Sequence, residues 1–219
     1  MGTGSLGAGA AVLGFAAGAT LAVHGPLLAL NLWVSGLAAG LPLSVDEALR
    51  LPRWLAVAGI AALALAAATV RPSPPRTATW RWDVTGLALA AVGALAWISG
   101  SVAGWPWGLS ITGPSRSVVE SAVLGMPEAA GWGTAMVVGI PLGAWLSARA
   151  RRPIVWRAPE RGEIVRRFSG GTLMGLGGTL AAGCNIGNAL TGLSVLSLNS
   201  VIATAAIVCG VALAVAVRE

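Results

Sequence analysis

The sequence predicts an all-α, polytopic membrane protein with about six to seven transmembrane spans plus re-entrant or broken helices. Three observations carry that prediction. Hydrophobic residues make up 56% of the 219 residues and charged residues 10%, against about 25% charged in a soluble domain, and the mean hydropathy is +0.79. The charges are segregated: no Asp, Glu or Arg occurs in 1–45, 54–70, 84–115, 129–148 or the fifty residues 168–217. All fourteen basic residues are Arg, and they lie between those gaps. A hydrocarbon core needs about 20 apolar residues, at least about 17, to cross at about 1.5 Å rise each.

Other classes fall away on the same numbers. High apolar content with few charges is the reverse of a disordered composition. The 31 Gly lack a period of three, and two Cys cannot make a disulfide scaffold. A net charge of +6 with a pI near 11.4 would suit nucleic acid. Arginines placed between apolar spans instead read as topology determinants and lipid-headgroup contacts.

Along the chain, the first span is expected over Ser5 to Val23 and a short second one over Pro26 to Gly40. The N-terminus has no basic region, so no cleavable signal peptide is expected. A loop with Asp46, Glu47, Arg50 and Arg53 precedes a third span, Trp54 to Val70. The Pro- and Arg-rich linker Arg71 to Trp82 marks the clearest boundary, dividing segment 1–81 from 82–219. Spans follow over Val84 to Ala103 and Gly131 to Ala148. Between them, Trp105 to Glu128 is half apolar and broken by Pro106, Gly113 and Pro114, and reads as external or re-entrant. A loop with seven Arg and two Glu, Arg149 to Arg167, leads into apolar Phe168 to Gly183. After an interruption, Asn188 to Leu198 resumes and Val201 to Val217 ends the chain as a last span. The positive-inside rule puts both Arg-rich loops in the cytoplasm. Trp54, Trp80, Trp82, Trp105, Trp107, Trp132 and Trp145 lie near span ends, where an indole is buried with its N–H wet.

Chemistry concentrates in Gly170 to Ser200. Small residues let membrane helices approach closely, and that role suits Gly171, Gly175 and Gly178. Gly183-Cys184-Asn185-Ile186-Gly187 differs, because two Gly bracket polar residues inside an apolar run. A helix broken there leaves backbone groups unpaired, which is tolerated in buried protein or beside a water-filled path. N–H groups opening the second half, those of Gly187 and Asn188 among them, would favour an anion without a cationic side chain. The Cys184 thiol is a weak donor and a polarizable surface. It could meet a soft sulfur anion without trapping it, as conduction requires. Cys209, in the last span, reads as structural, and a Cys184–Cys209 disulfide stays open. His24 is the lone His and no CxxC or carboxylate cluster exists, so neither metal nor cofactor is expected. His24 reads as a satisfied helix-end residue.

These residues carry a family resemblance. Gly170, Gly171, Leu173, Met174, Gly175, Leu180, Ala181, Gly183, Cys184, Asn185, Ile186, Gly187, Gly192, Leu196 and Ser197 match the signature of the YeeE/YedE membrane family, which includes thiosulfate and other sulfur-compound transporters. Trp105-Pro106-Trp107-Gly108-Leu109-Ser110 resembles its Pro-Trp-Gly-Val-Thr-Ser segment, and Gly139-Ile140-Pro141-Leu142-Gly143-Ala144 its Gly-Ile-x-x-Gly-Ala helix. The resemblance implies a pore of two similar halves with short re-entrant helices and Cys-lined constrictions. It implies substrate contact at Cys184, with Gly183, Asn185, Ile186, Gly187 and Asn188 shaping its loop. Trp107, Gly108 and Ser110 fall on the opposing segment.

The family's first-half Gly-Gly-Cys motif has no counterpart in Met1 to Arg81, which contains no Cys. The family's Gly-Trp after the Leu-Ser region is replaced by Ser200-Val201. A short or split version, completed by a homodimer or a second half-length family member, is therefore expected; a truncated reading frame is the other expectation. The implied activity is uptake of thiosulfate or a related small sulfur anion across the bacterial inner membrane, with a cytoplasmic sulfur-carrier protein as a further partner and no enzymatic step. Two alternatives stand beside it: a non-catalytic subunit completing a two-part transporter, and a membrane thiol or persulfide carrier. The carrier needs a base or cation beside Cys184, and none is adjacent in sequence.

Overall fold

A computed structural model describes residues 6–38, 43–69, 82–151 and 159–217. Among them the regular structure is helical, save one isolated bridge between Ser44 and Ser197. The helices are α1 (Leu6–His24), α2 (Leu28–Ala38), α3 (Val45–Leu49), α4 (Arg53–Thr69), α5 (Trp82–Val102), α6 (Thr112–Ala122), α7 (Trp132–Arg151), α8 (Arg161–Leu180) and α9 (Leu198–Ala216). A 3-10 turn at Pro127–Ala129 precedes α7, and a π-helical stretch at Ile186–Gly192 precedes α9.

The closest helix pair is α1 with α8. They run parallel, because Ala11 faces Gly171 and Phe15 faces Gly175, while Gly14 faces Phe168 and Gly18 faces Thr172. At Gly14, Gly18, Gly171 and Gly175 a Cβ would overlap a backbone carbonyl oxygen of the partner helix. Each helix thus contributes a Gly-x-x-x-Gly stripe whose missing side chains let backbones touch. This is the packing role expected of Gly171 and Gly175. α6 packs against α1, α7 and α8, which places its polar sequence inside the bundle.

α1, Asp83–Val102 of α5, and α9 are long and apolar enough to cross a membrane. Two apolar helices are shorter, at Leu28–Leu37 and Arg53–Ala62. α7 and α8 have 20 residues each and carry Arg at one end. The windows of α5 and α9 are 11% buried against 44% for α1. Leu87, Leu95, Leu142, Val208 and Leu213 are accordingly exposed, as side chains facing lipid would be.

Two sequence expectations shift. The Arg149–Arg167 stretch is helical at both ends: α7 continues to Arg151, and α8 starts at Arg161, seven residues before the expected span. A Glu163–Arg167 ion pair four residues apart stabilises that first turn. The ambiguous Trp105–Glu128 stretch contains a full helix, α6. The Arg71 to Trp82 linker lies outside the described residues up to 81, as does 152–158.

Candidate functional site

α8 ends where the sequence predicts a break. The N–H groups of Ala182 and Gly183 donate to Thr179 and Gly178 carbonyls at 3.1 and 2.7 Å. The left-handed residue of this cap is Ala182, at φ 55°, one position before Gly183. Glycine normally takes that position. Gly183 serves a different need: a Cβ there would lie 3.2 Å from Asn188 Nδ2. That amide donates to the Gly183 carbonyl at 2.6 Å and the Ala181 carbonyl at 3.3 Å. Its Oδ1 accepts from Ser200 Oγ at 3.0 Å. Asn188 is 2% exposed, so one buried side chain satisfies carbonyls released by the break and ties it to α9.

The chain turns left-handed again at Leu196, φ 61°. Non-glycine residues held there cost of order 1 kcal/mol or more and persist where surroundings over-determine them. The surroundings here are α3 and its approach: Val45 N–H donates to the Leu196 carbonyl at 2.8 Å, and Leu198 N–H to the Leu43 carbonyl at 3.3 Å.

The opposing wall is Trp105–Ile111. It leaves α5 through Gly104, at φ 73°. Thr191 Oγ1 donates to the Leu109 carbonyl at 2.5 Å, and a Cβ on Gly187 would sit 3.4 Å from Ser110 Oγ. Trp105 stacks on Trp132, ring centroids 6.4 Å apart. At Gly108 a Cβ would come 2.6 Å from Trp97 Nε1, so this segment lies flush on α5.

Between the two walls lies a cavity of about 350 Å³. Trp105, Trp107, Leu109 and Ser110 form one side; Thr112, Gly113, Pro114 and Arg116 of α6 form the next. Gly178 and Thr179 of α8, Ala182 and Gly183 at the break, and Gly187, Asn188, Thr191 and Gly192 of the π-helical stretch close the far side, with Ser197, Asn199 and Ser200 beyond. The rim is rich in hydroxyls and amides, and Arg116 is its charged residue.

Arg116 belongs to a trio built around the buried Glu120. Its Nε lies 2.9 Å from Glu120 Oε1, an ion pair not aligned as a hydrogen bond. The same oxygen shares a 2.6 Å hydrogen bond with His24 Nε2. The Glu120 side chain is 9% exposed; unpaired, a carboxylate this buried would cost several kcal/mol. Two further buried donors on cavity-lining residues, Trp105 Nε1 and Thr112 Oγ1, have no hydrogen-bond partner.

Of the residues singled out in sequence, Gly183, Gly187, Asn188, Trp107 and Ser110 line this cavity. Cys184, Asn185, Ile186 and Gly108 are not among the lining residues. Cys184 is buried at 9% exposure beside the lining Gly183, and its carbonyl accepts the Asn188 N–H at 2.8 Å. The Asn188 N–H expected to face an anion is therefore taken up inside the new helix. Cys184 and Cys209 are both free thiols, the second exposed. His24 ends α1 and is satisfied, by a carboxylate 96 residues away.

Sequence reasoning missed Thr112, Arg116, Glu120 and Thr191. Arg116 and Glu120 stand four residues apart in a stretch flanked by long charge-free runs. Such a pair inside a membrane protein is itself a signal.

A family model described as sulphur transport matches residues 1–213. The thiosulfate transporter TsuA of Escherichia coli is 35% identical over 111 residues, which are 51% of this chain and 32% of that protein. The thiosulfate transporter TsuA of Spirochaeta thermophila is 32% identical over 162 residues, 74% of this chain and 48% of that protein. The chain thus spans about a third to a half of the length of the curated relatives it matches. With a match running nearly end to end, and the Gly-Cys-Asn-Ile-Gly break beside the cavity, the chain belongs to the sulphur transport (YeeE/YedE) family.

Proposed function

We propose that the chain moves thiosulfate, or a related small sulfur anion, across the bacterial cytoplasmic membrane through the cavity between the broken helix and Trp105–Arg116. The observation that carries this reading is the cavity itself. It is walled by two of the three segments that resemble the family motifs, in a chain whose relatives are named thiosulfate transporters. Hydroxyl and amide groups of Ser110, Thr191, Asn188 and Ser200 offer an incoming anion partial replacement of its water. Cys184, beside the lining Gly183, gives the departing anion a soft and transient contact. Arg161, Arg166 and Arg167 mark the cytoplasmic end of α8 by the positive-inside rule. Twelve residues separate Arg167 from Thr179, so the cavity sits roughly 18 Å further along the helix axis. That is close to the middle of a hydrocarbon core about 30 Å thick.

The test is uptake of labelled thiosulfate into proteoliposomes holding the full chain. Wild-type protein takes it up, and Cys184→Ala lowers the rate at equal incorporation. Equal uptake by Cys184→Ala removes the thiol from the path. No uptake by the wild type alone, with uptake once a second half-length family member is added, turns the reading to a two-part transporter.

A further inference from the structure

We propose that Arg116 is the cavity's counter-charge for the sulfonate end of a tetrahedral sulfur oxyanion, held ready by Glu120 and His24; this rests on the function proposed above. Arg116 is the charged residue on the wall. Its side chain is 31% exposed, and among the described residues its ion pair with Glu120 is not accompanied by an aligned hydrogen bond. A guanidinium carries five N–H donors in a planar fork. Glu120 meets it at Nε, and Arg116 lines the cavity.

Around Arg116 the wall holds other positive features. It sits in the second turn of α6, whose opening N–H groups carry partial positive charge. No side chain caps that helix end. Thr112, 6% exposed, begins the helix, and its hydroxyl has no hydrogen-bond partner. The buried indole N–H of Trp105, across the cavity rim, is likewise unpartnered. Unpaired buried donors are uncommon in folded proteins. These donor-bearing residues border the cavity on facing sides, but the indole N–H and the Thr112 hydroxyl are covered, so the guanidinium of Arg116 is the donor that a ligand with several oxygens and negative charge would reach.

Glu120 makes the site releasable. With the cavity empty, its carboxylate neutralises Arg116, and His24 holds that carboxylate in place. An arriving oxyanion shares the guanidinium with Glu120 and so feels only part of its charge. Binding stays shallow, which conduction requires. Glu120 is a positioning residue here and touches no substrate.

The experiment is equilibrium binding of radiolabelled thiosulfate to the full chain in nanodiscs, with unlabelled sulfate as competitor. Arg116→Gln weakens thiosulfate binding about tenfold or more, the usual scale for a lost charge-assisted hydrogen bond. Competition by sulfate weakens in parallel, while Arg116→Lys retains most of both. Because Arg116→Gln leaves Glu120 buried without its cation, the double variant Arg116→Gln/Glu120→Gln removes both charges at nearly constant shape and shows the same loss. Glu120→Gln alone binds more tightly and releases more slowly. Wild-type binding with an unchanged constant in the double variant overturns the assignment of Arg116 and leaves the proposed function standing. Absence of thiosulfate binding to the wild type overturns both.

Discussion

Two seams run through this molecule, and glycine builds both of them to opposite ends. Along the α1–α8 seam, a Cβ at Gly14, Gly18, Gly171 or Gly175 would strike a backbone carbonyl. There the missing side chain removes space. Along the cavity seam, a Cβ at Gly183 or Gly187 would meet side-chain atoms of Asn188 or Ser110 at 3.2–3.4 Å. There it leaves room for a polar side chain or a ligand. In lipid, where water does not drive helices together, close backbone contact is a main source of cohesion. The first seam can therefore hold the broken, polar second seam in place. The difference teaches that glycine count does not separate scaffold from site; what the absent Cβ would touch does.

The sharpest way to break the comparison is Gly175→Val. Its Cβ would overlap the Phe15 carbonyl oxygen and lie 2.9 Å from Ala19 N. Backbone cannot rotate away as a side chain can, so the helices must part, at a cost of about 3 kcal/mol or more. The expected result is little folded, monodisperse protein and a strongly lowered unfolding temperature in detergent. Gly177→Val is the control on the same helix, where an added Cβ meets nothing within 4 Å; it should stay within about 0.5 kcal/mol of wild type. Equal stability of the two variants would show that the α1–α8 seam does not anchor the fold.

Asn188→Ala attacks the second seam and should cost less. It removes bonds to the Gly183 and Ala181 carbonyls and to Ser200 Oγ. Leaving buried partners unsatisfied costs about 1–3 kcal/mol. The protein should still fold, with its unfolding temperature lowered by a few degrees, while thiosulfate uptake falls well beyond that stability loss because the break loses its brace. Uptake that tracks folded protein alone would make Asn188 purely structural.

The α1–α8 seam and the break differ in how far the sequence foretells them. Charge-free runs mark apolar helices because a bilayer admits little else, so α1, α5 and α9 were legible. Gly171 and Gly175 were legible as packing residues from their spacing, although the partner helix was not. Gly183 was legible as a break, yet the left-handed residue is Ala182, and the missing side chain of Gly183 makes room for Asn188. Spacing along a chain does not encode which of these roles falls to which residue. α6 stayed hidden because Thr112–Ala122 lies in a half-apolar stretch broken by Gly113 and Pro114, whose partners the sequence does not show: Glu120 is stabilised by His24, and those two stand 96 residues apart. Cys184 was legible as a thiol at the break, while its burial beside the cavity depends on side-chain placement that no motif records.

The finest test compares the two kinds of glycine through one methyl group. At Gly187, a Cβ would sit 3.4 Å from Ser110 Oγ and 3.9 Å from its Cβ, in ordinary contact. Its backbone is not left-handed, so alanine adds no strain, and stability should stay within about 0.5 kcal/mol. Uptake is another matter, because the methyl closes space between the two cavity walls where Gly187 faces Ser110. Gly187→Ala should slow thiosulfate uptake several-fold without moving the unfolding temperature. Ser110→Gly in the same chain reopens that space and should restore most of the rate. The coupling between the two substitutions, measured as a double-mutant cycle, separates a steric gate from a general disturbance. Additive effects on uptake would mean that the anion does not pass between Gly187 and Ser110.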